Sequence, residues 1–389
     1  MPTVPIPARR VVTTFDSASK HERIEAKPPL VRLFRRAVST VFNLWMRVST
    51  PVVEQLGWYD QIEPYVGYGT EAYSRLICRT VYAPEHHRPG ARIRGIWGML
   101  AIPAPHRRVR VAIDGTPLET VQVGTSESYD KPDAKRRQTA EYAVSDSAGY
   151  LDLVAEHRLS PGIHRVSYRV DRRKPVTANL FTIPSGSKVG IISDVDDTIM
   201  ITQVPTLWKA AYNVLFANPK KRASVPGMSV LFTKLSALFP EAPFFYLSTS
   251  PWNVESSIRH FINDHGFPAG PLLLRDLDPR PKTFIPTGVQ HKLEFAEQLM
   301  GDFPDMKFIL IGDDGQKDPT TYATIARRYP GRVIAIGIRQ LSPREASPLG
   351  SMAGVSATQP MPVTDVPVFT GTTGANLMNT MLPYLERLA

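Results

Sequence analysis

The sequence predicts an α/β domain built on a parallel sheet, preceded by an all-β sandwich module and an N-terminal helix. Three observations predict it. In the C-terminal half, the apolar runs Val189-Gly190-Ile191-Ile192, Phe244-Phe245-Tyr246-Leu247 and Phe308-Ile309-Leu310-Ile311 each end in acids or hydroxyls. The gaps between them are long enough for crossover helices, so the strands can be parallel neighbours with their polar ends on one edge. Between about residues 70 and 185, short alternating segments are bounded by turn residues, and residues 29–48 repeat apolar side chains at helical spacing.

Taken in order, residues 1–27 are polar, basic and rich in proline. From Pro29 to Val48, Leu30, Phe34, Ala37, Val38, Val41, Trp45 and Val48 fall on one side of a helix. Arg32, Arg35, Arg36, Ser39, Asn43 and Arg47 fall on the other. Such a basic amphipathic helix can lie in a membrane interface; the alternative is that its stripe packs on the protein's own core. The expected N-terminal arm is 1–68.

The expected sandwich module is 69–185. Its strand candidates include Arg92–Ile102, Val109–Ile113 closed by Asp114-Gly115, Gly149–Val154 and His164–Val170. Residues 125–139, rich in lysine and arginine, read as a loop. His86-His87 has no third ligand at metal spacing and reads as a surface turn. The α/β domain is expected over 186–389, with a flexible Ser-, Pro-, Met- and Gly-rich stretch at about 341–363 and a closing strand and helix after it.

The chemistry concentrates at Asp194-Val195-Asp196-Asp197-Thr198, where the first apolar run ends. In an open α/β sheet the carboxyl ends of strands are where ligands bind. Two carboxylates at i and i+2 can divide labour, one as nucleophile and one as proton carrier, and together they demand a hard divalent cation such as Mg²⁺. Ser248 follows Asp194 by 54 residues, Lys292 follows Ser248 by 44, and Asp313 follows Lys292 by 21. Asp314 and Asp318 stand close behind. A phosphate ester repels a carboxylate nucleophile, so a site of this kind needs positive charge and hydrogen-bond donors aimed at the phosphoryl oxygens. Lys292, Ser248 and a cation held by Asp194 and Asp313 supply them, with Asp196 moving the proton.

This four-part order resembles the haloacid dehalogenase superfamily of phosphohydrolases, through residues 186–340. Ser248-Thr249-Ser250-Pro251-Trp252, Gly270-Pro271-Leu272-Leu273-Leu274-Arg275-Asp276 and Gly312-Asp313-Asp314-Gly315-Gln316-Lys317-Asp318-Pro319 are similar to one branch of it, the actin-patch-protein phosphatidate phosphatase catalytic family, distantly similar to lipins. The resemblance implies a Rossmann-like fold and Mg²⁺-dependent conversion of phosphatidate to diacylglycerol through an aspartyl-phosphate. It implies Asp194 as nucleophile, Asp196 as acid/base, Ser248 and Lys292 at the phosphate and Asp313 at the metal, with the Asp196 carbonyl as a further ligand. Thr198 belongs to the catalytic motif, and Asp314 and Asp318 are added metal candidates. The sequence departs from the family at Asp314, commonly a small residue, and at Gln316, commonly an acid. In the superfamily, insertions between the first two elements act as caps. Here Thr206–Phe216 reads as a small helical cap followed by Lys220-Lys221-Arg222, facing either lipid or the protein's own core and solvent.

Composition sets the outer limits. The chain has 389 residues, 46 Lys and Arg against 36 Asp and Glu, a net charge of +10 and one cysteine, Cys78. The single cysteine rules out an intramolecular disulfide. No run of about 18 uncharged apolar residues suits a spanning helix, and Met1–Arg10 is not followed by a secretory apolar core. The net charge favours anionic partners, either nucleic acid or an acidic membrane surface; the expected location is the cytoplasm, with peripheral contact at the anionic inner membrane surface and no specific nucleic acid. Two rivals remain: a phosphatase of a soluble or protein phosphoester, and a noncatalytic membrane- or nucleic-acid-binding scaffold, against which the intact acid set argues.

Overall fold

In the computed structural model, the described residues are 40–41, 44–45, 47–83, 102–104, 107–123, 143–145, 149–170, 173–201, 222–275, 288–315, 317–342 and 360–389. Residues 1–39, His86-His87, most of the strand candidate at 92–102, the 125–139 loop, the cap helix with Lys220 and Lys221, Asp276, Gln316 and residues 343–359 lie outside them. The described chain divides into two compact units at Pro184/Ser185.

The first unit is all-β. Its strands are β1 (Tyr59–Pro64), β2 (Gly67–Gly69), β3 (Tyr73–Ala83), β4 (Ile102–Pro103), β5 (Arg107–Ile113), β6 (Thr116–Val123), β7 (Ala143–Ser145), β8 (Tyr150–Glu156), β9 (Gly162–Val170) and β10 (Val176–Thr182). Hydrogen bonds join them in the order β6-β5-β9-β10-β2-β3-β8-β7, with β1 and β4 also on β3. The two halves of that order, linked by the three-residue pairing of β10 with β2, face a common core. Val109 and Val111 of β5, near one end of that order, share the core with Leu151 and Leu153 of β8, near the other. The sheet also begins inside the segment expected to be the arm, since β1 and β2 precede residue 70 and pair with β3 and β10. The expected turn between β5 and β6 forms at Asp114 and Gly115, both with positive φ (48° and 82°), the conformation that a two-residue hairpin needs. The Asp114 carboxylate also accepts from the Arg165 backbone N–H at 2.9 Å, tying the hairpin to β9.

Helical backbone is present at residues 40, 41, 44, 45 and 47–55, beyond Val48 and through Pro51. Among the described residues no helix is long and apolar enough to cross a membrane.

The second unit holds β11 (Val189–Asp194), α1 (Met228–Leu238), β12 (Phe244–Pro251), α2 (Glu255–Asp264), β13 (Leu272–Arg275), α3 (Gly288–Asp302), β14 (Lys307–Asp313), α4 (Asp318–Arg328), β15 (Val333–Arg339), β16 (Val368–Gly371) and α5 (Gly374–Leu385). Every pairing in its six-stranded sheet is parallel, in the order β13-β12-β11-β14-β15-β16. Strands covered on both faces read as unbroken apolar runs rather than alternating ones, and β11 and β14 are buried over nearly their whole length. The helices are amphipathic by comparison: α1 buries Met228, Leu231, Phe232 and Leu235, an i, i+3, i+4, i+7 stripe. Helix α4 carries Asp318 in its first turn and Arg327 and Arg328 in its last, each charge opposing the helix dipole at its end.

After β11 the chain builds outward through β12 and β13, then returns to place β14 on the other side of β11. That reversal opens a crevice at the carboxyl ends of β11, β12 and β14. Glycine at 312 lets α4 close on this edge: a Cβ there would lie 2.4 Å from Asp318 Oδ2 and 2.7 Å from Tyr322 Cε2. Gly312→Ala is expected to cost about 1–3 kcal/mol by overpacking, read as a fall of several degrees in Tm. An unchanged Tm would mean that α4 is not seated as described.

Candidate active site

Asp194 is the last residue of β11 and Asp313 the last of β14, so the sheet register alone brings them together. Asp318 comes from the first turn of α4 and Lys292 from α3. All four are essentially buried, at 1%, 0%, 1% and 1% exposure. The Lys292 ammonium lies 2.7 Å from Asp194 Oδ1 and makes a second, closer ion pair with Asp318 Oδ1. Thr198 donates its hydroxyl to Asp194 Oδ2 at 3.2 Å. The Asp313 backbone N–H donates to Asp318 Oδ2 at 3.4 Å, and Asp313 Oδ1 accepts from the Gly315 N–H at 2.8 Å.

Asp196 looks the other way. Its Oδ2 accepts from the hydroxyls of Ser248 and Ser250 on β12, each at 2.9 Å. The chain turns sharply just after the second carboxylate: Asp197 has φ 59°, a left-handed conformation that aspartate tolerates better than most residues. Its N–H donates to the Met200 carbonyl at 2.7 Å, and its carbonyl accepts from Arg339 Nη1 at 2.7 Å. His291, next to Lys292, donates from Nε2 to the Ser248 carbonyl at 3.1 Å, joining α3 to the end of β12.

The charges here are costly. Burial pushes the Asp194 carboxyl from 3.8 up to about 7, Lys292 pulls it back, and Asp318 and Asp196 add to the rise. Asp313 is raised well above the ordinary range, by burial first and then by Asp318 and Asp194. For Lys292 burial acts downward, but Asp194, Asp318 and Asp313 outweigh it and hold the ammonium above its usual value. Three carboxyl groups thus share one ammonium in a buried pocket.

The donor set fits a hard cation. Among the described residues, Asp194, Asp313 and Asp318 each offer a carboxylate oxygen within 4.8 Å of the others. Carboxylate oxygen ligands are what a hard cation such as Mg²⁺ takes. Asp314 is not part of this set. It follows Asp313 immediately, and its Oδ1 accepts from the Leu341 N–H at 2.8 Å, holding the chain after β15. The Asp196 side chain is also outside the set, directed to the two serines.

Three residues at the site were not singled out by sequence reasoning. Ser250 shares Asp196 with Ser248, the hydroxyl that sequence reasoning chose from this run. Arg339 braces Asp197 from the end of β15, and no sequence signal marked it. Arg222, the last of the basic triplet, lies close enough to Asp196 for their charges to interact. Burial lowers its pKa, and the Asp196 charge opposes that effect.

An acid pair at a parallel sheet's switch point, with a buried lysine behind it, defines an α/β domain with a carboxylate-centred site. Residues 189–340 match the family model described as "Phosphatidate phosphatase APP1, catalytic domain". The chain is 28% identical over 217 residues to Phosphatidate phosphatase APP1 of Saccharomyces cerevisiae, covering 53% of this chain and 36% of the yeast protein. It is 27% identical over 154 residues to an uncharacterized protein of Schizosaccharomyces pombe, covering 39% and 25%. The chain thus spans well under two thirds of the curated relatives it matches. Among solved structures, the HAD domain of effector protein Lem4 from Legionella pneumophila is similar at 15% identity and a TM-score of 0.28, over 40% of this chain and 88% of that one.

The raised Asp194 carboxyl sets a pH dependence for the metal-free protein. Between 3.8 and about 7 the folded state keeps a proton that the unfolded state loses. Stability contributed by this group is therefore full below 3.8 and lost as pH rises through about 7. Thermal melts in a chelator should show Tm falling across that window, less steeply in Asp194→Asn. Millimolar Mg²⁺ should raise Tm at neutral pH in the wild type and less in Asp313→Asn. Equal melts with and without Mg²⁺ would contradict a cation site here.

Proposed function

We propose that this chain is a phosphoric monoester hydrolase that removes phosphate from phosphatidate, with Asp194 as nucleophile. The observation that carries the reading is the division of the two motif carboxylates. Asp194 sits against Lys292 and Thr198 in a buried charged pocket, while Asp196 is held separately by Ser248 and Ser250. Acid pairs in contrasting environments are how one site runs nucleophilic and proton-transfer chemistry together. The family match of residues 189–340 and the printed name of the yeast relative support phosphatidate as substrate.

In the first step an Asp194 oxygen attacks phosphorus, the bond to the leaving alkoxide breaks, and Asp196 delivers a proton to that oxygen. In the second step Asp196 takes a proton from water as the water oxygen attacks phosphorus. The acyl-phosphate bond then breaks and the Asp194 carboxylate returns. Lys292 offsets the repulsion between the Asp194 carboxylate and the incoming phosphate. Thr198 orients Asp194, and the two serines orient Asp196. Asp194, Asp313 and Asp318 would hold Mg²⁺, with the Asp196 carbonyl as the further ligand that the family resemblance implies. Bound there, Mg²⁺ would neutralise charge on the carboxylates and the phosphoryl oxygens.

The test is phosphate release from phosphatidate in mixed micelles, with and without Mg²⁺, alongside water-soluble phosphomonoesters. Metal-dependent release from the lipid is expected. Asp194→Asn should lower it by roughly three orders of magnitude or more, and Asp196→Asn by about 10²–10⁴. Release from soluble esters alone would keep the mechanism and overturn the lipid substrate. Silence on every ester would overturn the enzyme.

A further inference from the structure

Six of the ten large apolar side chains that are exposed among the described residues lie between residues 41 and 56. They are Val41, Leu44, Trp45, Val48, Val52 and Leu56, with Val41 68% and Leu56 66% exposed. Their intervals of three, one, three, four and four place them on one face of a helix. The protein's own core takes a different part of this segment. Ser49 and Val53 are buried, and Val53 packs with Tyr82, Ile102, Ala104 and Trp58. The only acid between residues 41 and 56, Glu54, accepts from the Tyr82 hydroxyl at 2.5 Å and lies 3.8 Å from Arg107, so the sheet compensates its charge. The segment is therefore anchored along one side while its apolar face meets solvent.

We propose that this face docks on the surface of an anionic lipid bilayer. Charge complementarity selects that occupant. Residues 1–50 contain nine Lys and Arg against three Asp and Glu, a net +6 out of the chain's +10. Arg47, within the segment, is exposed. Aliphatic side chains and a tryptophan on one face, in a segment of basic sequence, match a helix lying in the headgroup boundary. The sequence repeats the same apolar spacing N-terminally at Leu30, Phe34, Ala37 and Val38. The inference deepens the phosphatidate reading, on which its purpose rests: a substrate whose phosphate lies at a bilayer surface must be met there.

The test is flotation of the full chain with phosphatidylcholine vesicles, with and without phosphatidylglycerol, an anionic lipid that is not the proposed substrate. Wild type should float with the anionic vesicles and not with the neutral ones. Trp45→Glu combined with Val48→Glu should weaken that binding at least about tenfold. Hydrolysis of a soluble phosphomonoester should stay unchanged, because neither residue belongs to the site. Trp45→Ser is a milder variant that should lose binding in the same direction if the double variant does not fold. Equal flotation of wild type and variants, or no flotation of wild type, would overturn the proposal. So would a wild-type dimer that the variants convert to monomer without any vesicle binding, since the face would then be an interface between copies. Vesicle binding without phosphatidate turnover would overturn the substrate reading and leave the docking face standing.

Discussion

A single buried ammonium organises the site. Lys292 bridges Asp194 and Asp318 in a pocket that also holds Asp313, and none of these groups is more than 1% exposed. Buried carboxylates are tolerated only when opposite charge or hydrogen bonds compensate them. One lysine serves three carboxyl groups, so the pocket favours holding protons or a divalent cation. Burial first, and then the neighbouring carboxylates, raise the Asp194 and Asp313 carboxyls. Binding a cation would relieve that repulsion, and a phosphate would then enter a site whose positive charge is already placed.

The sheet makes the arrangement without long-range adjustment. Asp194 and Asp313 end adjacent parallel strands, and Ser248 and Ser250 belong to the strand on the other flank of β11. The turn after Asp194 then separates the two motif carboxylates. Asp194 faces the lysine and Asp196 the two serines, and just past them the left-handed backbone at Asp197 is braced by Arg339. One short loop thus gives two chemically identical side chains different surroundings.

Much of this was legible in the sequence because unbroken apolar runs followed by acids are what buried parallel strands with a polar edge look like. The runs containing Asp194, Ser248 and Asp313 became β11, β12 and β14, and Lys292 entered from α3 as the spacing suggested. Asp314 misled because adjacency in sequence says little about direction: its carboxylate serves Leu341 while its neighbour Asp313 joins the acid cluster. Arg339 carried no signal, since a basic residue at a strand end is common, and Arg222 was read only as part of a basic triplet beside the cap; the fold brings both to the acids. In the first unit, the eleven-residue β3 escaped notice. It pairs with β1, β2, β4 and β8 and is buried almost throughout, so it lacks the alternation that marks a half-exposed strand.

The claim at the centre is that Asp194 itself becomes phosphorylated. A single turnover with labelled phosphatidate and excess enzyme, quenched in acid and mapped by mass spectrometry, tests it most directly. The account expects transient label on the peptide containing Asp194, absent in Asp194→Asn and decaying as free phosphate appears. Phosphate released at full rate with no label on the chain at any time would contradict it, and would assign the attack to water instead.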